Sequence, residues 1–153
     1  MTKIQMSKID DIKKLRQETN LPLIQCQQAI EDADGDMERA MTILKKSASL
    51  VNEKRSGRAA KSGIISCYSH VGKIGVMVEL ASESDFVSRN EMFGDLAHNL
   101  CLQIAAMNPQ NNKELFSQSY IKDETQTIGA LFNQTANALG EKIELKRFIR
   151  WNL

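Results

Sequence analysis

Two hydrophobic rhythms divide the chain. In residues 7–46 apolar positions recur at helical spacing. Ile9, Ile12 and Leu15 follow a Ser7–Asp10 pair placed like a helix cap. Thr19-Asn20-Leu21-Pro22 reads as a stop, with proline suited to the first turn of the next helix. Leu23, Cys26, Ile30 and Ala33 form a second stripe ended by Gly35. Asp36 caps a third, on which Met37, Ala40, Met41 and Leu44 step at i, i+3, i+4 and i+7. From residue 64 the rhythm changes to strand alternation. Residues 64–70 and 74–80 flank a Val71-Gly72-Lys73 turn and predict a β-hairpin.

Residues 90–107 return to helical spacing through Phe93, Ala97, Leu100, Ile104 and Met107, halted by Asn108-Pro109. Residues 110–123 are polar and predict irregular chain. Ile128, Leu131, Phe132, Thr135 and Leu139 mark another helix, with Gly140 at its end. In residues 142–151, Ile143, Leu145, Ile149 and Trp151 share one face of a third strand if alternation is unbroken, with Arg147 interrupting it. The expected fold class is α+β: a three-helix module over 1–46, a connector over 47–62, and a ββααβ core over 63–153 with helices on one face of a small antiparallel sheet. The same alternation assigns Met77, Tyr68 and Phe148 to the face away from the helices, a surplus of apolar surface suited to a second copy.

Charge adds one local feature. Twenty basic and 19 acidic residues leave a net charge of +1, so no overall field draws the protein to nucleic acid or membrane. The connector departs from that balance: Lys45 and Lys46 lead into Lys54, Arg55, Arg58 and Lys61, opposed only by Glu53. It reads as a solvated linker or helical extension, or as a docking strip for an acidic partner or RNA; no aromatic is interleaved for base stacking. Cys26, Cys67 and Cys101 lie far apart in no metal-ligand spacing and read as reduced cysteines. The N-terminus MTKIQMSKIDD has no apolar leader and no stretch is long enough to cross a bilayer, so the expected location is cytoplasmic.

Candidate chemistry is sparse. Cys67 and His70, three apart on a strand, point to opposite faces and make no nucleophile–base pair. Glu79, Glu83 and Asp85 lack the oxygen-ligand pattern of a magnesium loop, and no glycine-rich phosphate loop exists. No enzyme and no cofactor are expected. Residues 75–89 hold the one odd feature: the alternation of Val76, Val78 and Leu80 breaks into small and acidic residues, and a lone Phe86 follows before the next helix. Phe86 either tucks into the core or waits for a partner's pocket. Arg16 is likewise a contact or a solvated charge. The adjacent Leu23 and Ile24 point about 100° apart on a helix and do not both face one small core, so one of them is an exposed anchor or simply a surface apolar residue.

Three stretches carry a family resemblance. Leu15-Arg16, Thr19, Cys26, Ala29 and Gly35-Asp36 fit the pattern L-R-x-x-T-G-A-G-M-M-D-C-K-x-A-L followed by G-D. VELASESDFVSRNEMF is similar to V-E-x-x-x-x-T-D-F-V-A-R/K-x-x-x-F, and LGEKIELKRFIRW to I-G-E-N-I-x-x-R-R. Together they resemble elongation factor Ts, the nucleotide-exchange factor for the translational GTPase elongation factor Tu. Asn20-Leu21-Pro22 replaces the family's glycine-rich loop, Leu23-Ile24 its methionine pair and Ser84 its threonine. The stretch between Met107 and Leu139 leaves no room for a coiled-coil insertion or a second core half.

The resemblance implies that the first module is like a ubiquitin-associated domain and docks on the GTPase through Arg16, Leu23 and Ile24. It implies that Ser84, Asp85, Phe86 and Val87 form the working element, with Phe86 as a wedge that dislodges magnesium and phosphate contacts so that GDP leaves. It further implies elongation factor Tu, GDP-bound or nucleotide-free, as partner, and a homodimer formed through the core, as in short family members; neither membrane nor nucleic acid is expected. The rival readings are an interaction scaffold and a ribosome- or RNA-binding protein.

Overall fold

The computed structural model describes residues 3–19, 21–55 and 57–153, with side chains among them except those of 3–8 and 48–54. Asn20 and the side chains of Ser7, Leu50, Val51, Glu53 and Lys54, all part of the sequence reading, lie outside what is described. The chain divides into two compact units, Met1–Arg55 and Ser56–Leu153.

The first unit holds α1 (Lys3–Thr19), α2 (Leu23–Asp32) and α3 (Met37–Arg55). Helix α1 begins four residues before Ser7, so Ser7 does not open it. Leu15, Cys26, Ile30, Ala33, Ala40 and Leu44 close a small core. Gly35 takes the left-handed backbone that ends α2 (φ 85°), and its N–H reaches the Ile30 carbonyl at 2.9 Å. The Asp36 carboxylate then accepts the N–H groups of Glu38 and Arg39, capping α3. Helix α3 runs on to Arg55, so the first part of the basic connector is helical extension.

The second unit contains β1 (Ser62–His70), β2 (Ile74–Ser82), the single turn α4 (Asp85–Ser88), α5 (Glu91–Met107), α6 (Asn112–Ser117), β3 (Ser119–Tyr120), β4 (Asp123–Thr127), α7 (Ile128–Leu139) and β5 (Ile143–Asn152). The antiparallel sheet has the order β1-β2-β5, with helices packed on one face, an α+β architecture. Residues 110–123 are more ordered than their polarity suggests. They form α6 and join a two-stranded ribbon, pinned by the fully buried Gln103, which donates to Gln118 and Ser119 and accepts the Ile121 N–H.

Two facial assignments are corrected. The three-residue turn makes His70 and Ile74 partners, so Tyr68 pairs with Val76 on the helix face and meets His98 of α5 edge-on. On β5, Leu145 opposes Leu80 while Arg147 opposes Glu79, so Lys146 is one extra residue, a β-bulge. A one-residue slip exchanges faces. Ile143, Leu145 and Phe148 therefore pack toward the helices, while Ile149 and Trp151 turn outward with Met77. The outer face does carry surplus apolar surface, but it is made of Ile65, Met77, Ile149 and Trp151.

Candidate functional site

The turn that follows β2 is built from short polar side chains and one buried aliphatic. Ser84 caps α4, its hydroxyl oxygen accepting the Val87 N–H at 3.4 Å. Ser88 Oγ donates to the Asp85 carbonyl (2.9 Å), and Ser82 Oγ to the Ser84 carbonyl (2.8 Å). Ser62 Oγ on β1 lies 3.2 Å from Ser88 Oγ. Adjacent residues in a helical turn point about 100° apart, and here Val87 enters the core while Phe86 turns to solvent. Val87 is 4% exposed and Phe86 80%. Asp85 is also exposed, its carboxylate 3.2 Å from Arg89.

The acids before Phe86 are tied to specific partners. Glu83 Oε1 accepts the backbone N–H of Lys142 at 2.6 Å and faces Arg58 at 3.4 Å. Glu79 pairs with Arg147 at 2.6 Å. With Asp85 held by Arg89, the three carboxylates weighed as a cation site each have a separate partner. Among the described residues no three histidine, cysteine or acidic side chains gather where a metal could sit.

Glu141 is the residue that sequence reasoning passed over. It stands just after Gly140, whose left-handed backbone (φ 74°) ends α7. Its two carboxylate oxygens accept the Ser84 N–H at 3.0 Å and the Ser84 hydroxyl at 2.6 Å. Three residues on, Glu144 is held below the usual glutamate range, chiefly by the hydrogen bond from Lys146 and then by Lys142. The sequence signals were the placement of LGEKIE directly after the α7 stripe and its likeness to the pattern I-G-E-N-I, neither of which says what the carboxylate holds.

In the first unit, Leu23 and Ile24 open α2 and are 48% and 79% exposed, so both, not one, are left as surface apolar residues. Arg16 is exposed beside the fully buried Leu15. The predicted residues thus fall into two sets, Arg16, Leu23 and Ile24 in the first unit and Ser84–Val87 in the second. Cys67 is exposed on the outer sheet face, while the His70 ring is bonded to the Tyr68 hydroxyl at 2.9 Å. Among the described residues no helix is long and apolar enough to cross a membrane.

Comparison with known proteins converges on one family. The profile of the family described as Elongation factor TS matches residues 6–114 and 83–153. The chain is 34% identical over 189 aligned positions to the elongation factor Ts of Thermotoga maritima, covering 95% of each chain. It is 32% identical over 188 positions to that of Coprothermobacter proteolyticus, covering 93% of this chain and 95% of the relative. With the longer elongation factor Ts of Trichlorobacter lovleyi it shares 34% over 142 positions, which is 92% of this chain and 46% of the relative. An alignment of 189 positions on a chain of 153 residues leaves at least 36 positions of the Thermotoga protein with no counterpart here.

Proposed function

The chain belongs to the elongation factor Ts family, and from that premise we propose that it is a guanine-nucleotide exchange factor for elongation factor Tu, acting by binding and not by covalent chemistry. The observation that carries the reading is Phe86: a large aromatic, 80% exposed, on a turn whose next residue is locked in the core. A solvated phenylalanine on a fixed support gains burial only when a partner opens a pocket. If that pocket exists in the nucleotide-free GTPase and not in its GDP form, binding the factor weakens GDP, because coupling between the two ligands is reciprocal. Asp85 supplies a polar contact beside the ring, and Ser84 and Val87 hold the turn. Arg16, Leu23 and Ile24 serve as the docking surface of the first unit.

The test is release of a fluorescent GDP analogue from elongation factor Tu with and without the protein. Acceleration at micromolar concentration is expected, and unchanged release would sink the reading.

The outer sheet face supports a homodimer as part of the same proposal. Ile65, Met77, Ile149 and Trp151 expose apolar surface on three adjoining strands, more than scattered surface residues usually supply. Sedimentation should show a dimer that Met77→Glu converts to monomer. A native monomer at tens of micromolar would remove this part alone.

A further inference from the structure

A four-residue helix cannot hold its own direction, because one turn fixes several backbone angles for very few hydrogen bonds. What orients α4 must come from outside it. Apart from the burial of Val87 and the Ser62 hydroxyl contact, the ties around Ser84 and Ser88 are local, from residues 82–88. Glu141 is the exception: it reaches Ser84 from 57 residues further along the chain. The tie is doubled in the opposite sense, since Glu83 of the turn accepts the amide of Lys142. Each segment therefore lends a carboxylate to the other's backbone.

The bond to the hydroxyl also sets a proton. A carboxylate only accepts, so Ser84 Oγ must direct its hydrogen at Glu141. Its lone pairs are then left for the Val87 N–H, the bond that caps α4. Glu141 in this way selects the hydroxyl orientation that starts the helix two residues before Phe86.

We propose that Glu141 is a positioning residue for nucleotide exchange, acting through Ser84 to fix the direction in which Phe86 is presented. This rests on the reading of Phe86 as the wedge. Glu141 itself touches no nucleotide. Glutamine at this position can accept the Ser84 N–H through its carbonyl and donate to Ser84 Oγ, so it keeps the geometry at reduced strength. Alanine keeps neither bond.

The experiment compares native protein, Glu141→Ala, Glu141→Gln, Phe86→Ala and the double variant Glu141→Ala/Phe86→Ala. Amide hydrogen exchange by NMR is measured on the free proteins, and nucleotide release on each with elongation factor Tu. In Glu141→Ala the Ser84 and Val87 amides should exchange at least about tenfold faster while those of Val78 and Leu100 in the core stay protected. The maximal rate of release should fall about tenfold with KM changed less than about twofold, and Glu141→Gln should recover most of it. Phe86→Ala should cost less in the Glu141→Ala background than alone, since a misdirected wedge has less to lose. Native protection of Ser84 and Val87 in folded Glu141→Ala overturns the proposal. So does full activity in that variant while Phe86→Ala is impaired. If Phe86→Ala itself releases nucleotide at the native rate, the wedge reading fails first and the role of Glu141 falls with it. Should Glu141→Ala not fold, Glu141→Asp, one methylene too short to hold both bonds to Ser84, carries the same comparison: amides and release rate both at native values overturn the proposal.

Discussion

Replacing Phe86 with alanine separates a wedge from a core residue, and the structure sets both magnitudes. Full burial of a phenylalanine side chain is worth roughly 1.5–3 kcal/mol of transfer free energy. Phe86 is 80% exposed, so about a fifth of that, roughly 0.3–0.6 kcal/mol, is already gained in the free protein. For a unit of this size the loss should lower Tm by about 1–5 °C, partly offset because alanine favours the helix. The remaining four-fifths, roughly 1.2–2.4 kcal/mol, is available only in the complex. Spent on the rate-determining opening of the GTPase, it corresponds to about an 8- to 60-fold loss in kcat/KM for exchange. Phe93, fully buried seven residues on, is the control: its alanine variant should lose about 3–5 kcal/mol of stability. Stopped-flow displacement of a fluorescent GDP analogue gives the rate, and thermal unfolding gives Tm. Unchanged kcat/KM refutes the wedge. A fall in Tm as large as that of Phe93→Ala refutes the exposed placement.

Other expectations follow from the same geometry. Ile24→Asp, at a position 79% exposed, should shift stability by less than about 0.5 kcal/mol while raising KM for elongation factor Tu about tenfold; an unchanged KM would remove Ile24 from the docking surface. Deleting Lys146 should be tolerated, because Leu145, Arg147 and Phe148 keep their partners and faces once the bulge is gone. The cost is the partly exposed ion pair to Glu144, about 1 kcal/mol or less. Loss of cooperative unfolding in that variant would mean the bulge itself is required. Acid should destabilise the second unit. Asp123, held low by hydrogen bonds from Thr125 and then Gln126, and Glu144, held low by Lys146 and then Lys142, have folded values below their unfolded ones. Their contribution is complete above the unfolded carboxylate range and is lost as pH falls through the folded values. The urea midpoint should be level from pH 7 to about 5 and decline below about 4.5; a midpoint that rises toward acid would reverse the assignment.

What the sequence shows well is whatever repeats locally. The stripes of α2, α3, α5 and α7 and the alternation of β2 are visible because burial selects side chains at a fixed period, and the core follows them. The bulge at Lys146 hides itself, since one extra residue looks like continued alternation in which Arg147 is the misfit. α6 is too short to show a period, and β4, reading DETQT, carries no apolar residue. Tyr68 was misplaced because facing depends on the turn length joining two strands, a relation that neither strand contains. At the site, Phe86 stands out as a lone aromatic between patterns. Glu83 and Glu141 do not, because a carboxylate that ties two distant backbones has the same letters around it as one in water.

The paired ties between Glu83 and Lys142 and between Glu141 and Ser84 close the intervening chain into a loop fastened at both ends. Doubling the length of such a loop costs only about 0.6 kcal/mol of closure entropy. Connecting turns between the fastenings, outside the core residues of α5 and α7, can therefore be trimmed or enlarged while the direction of Phe86 stays the same. Chain length between the fastenings and the direction of Phe86 become independent variables.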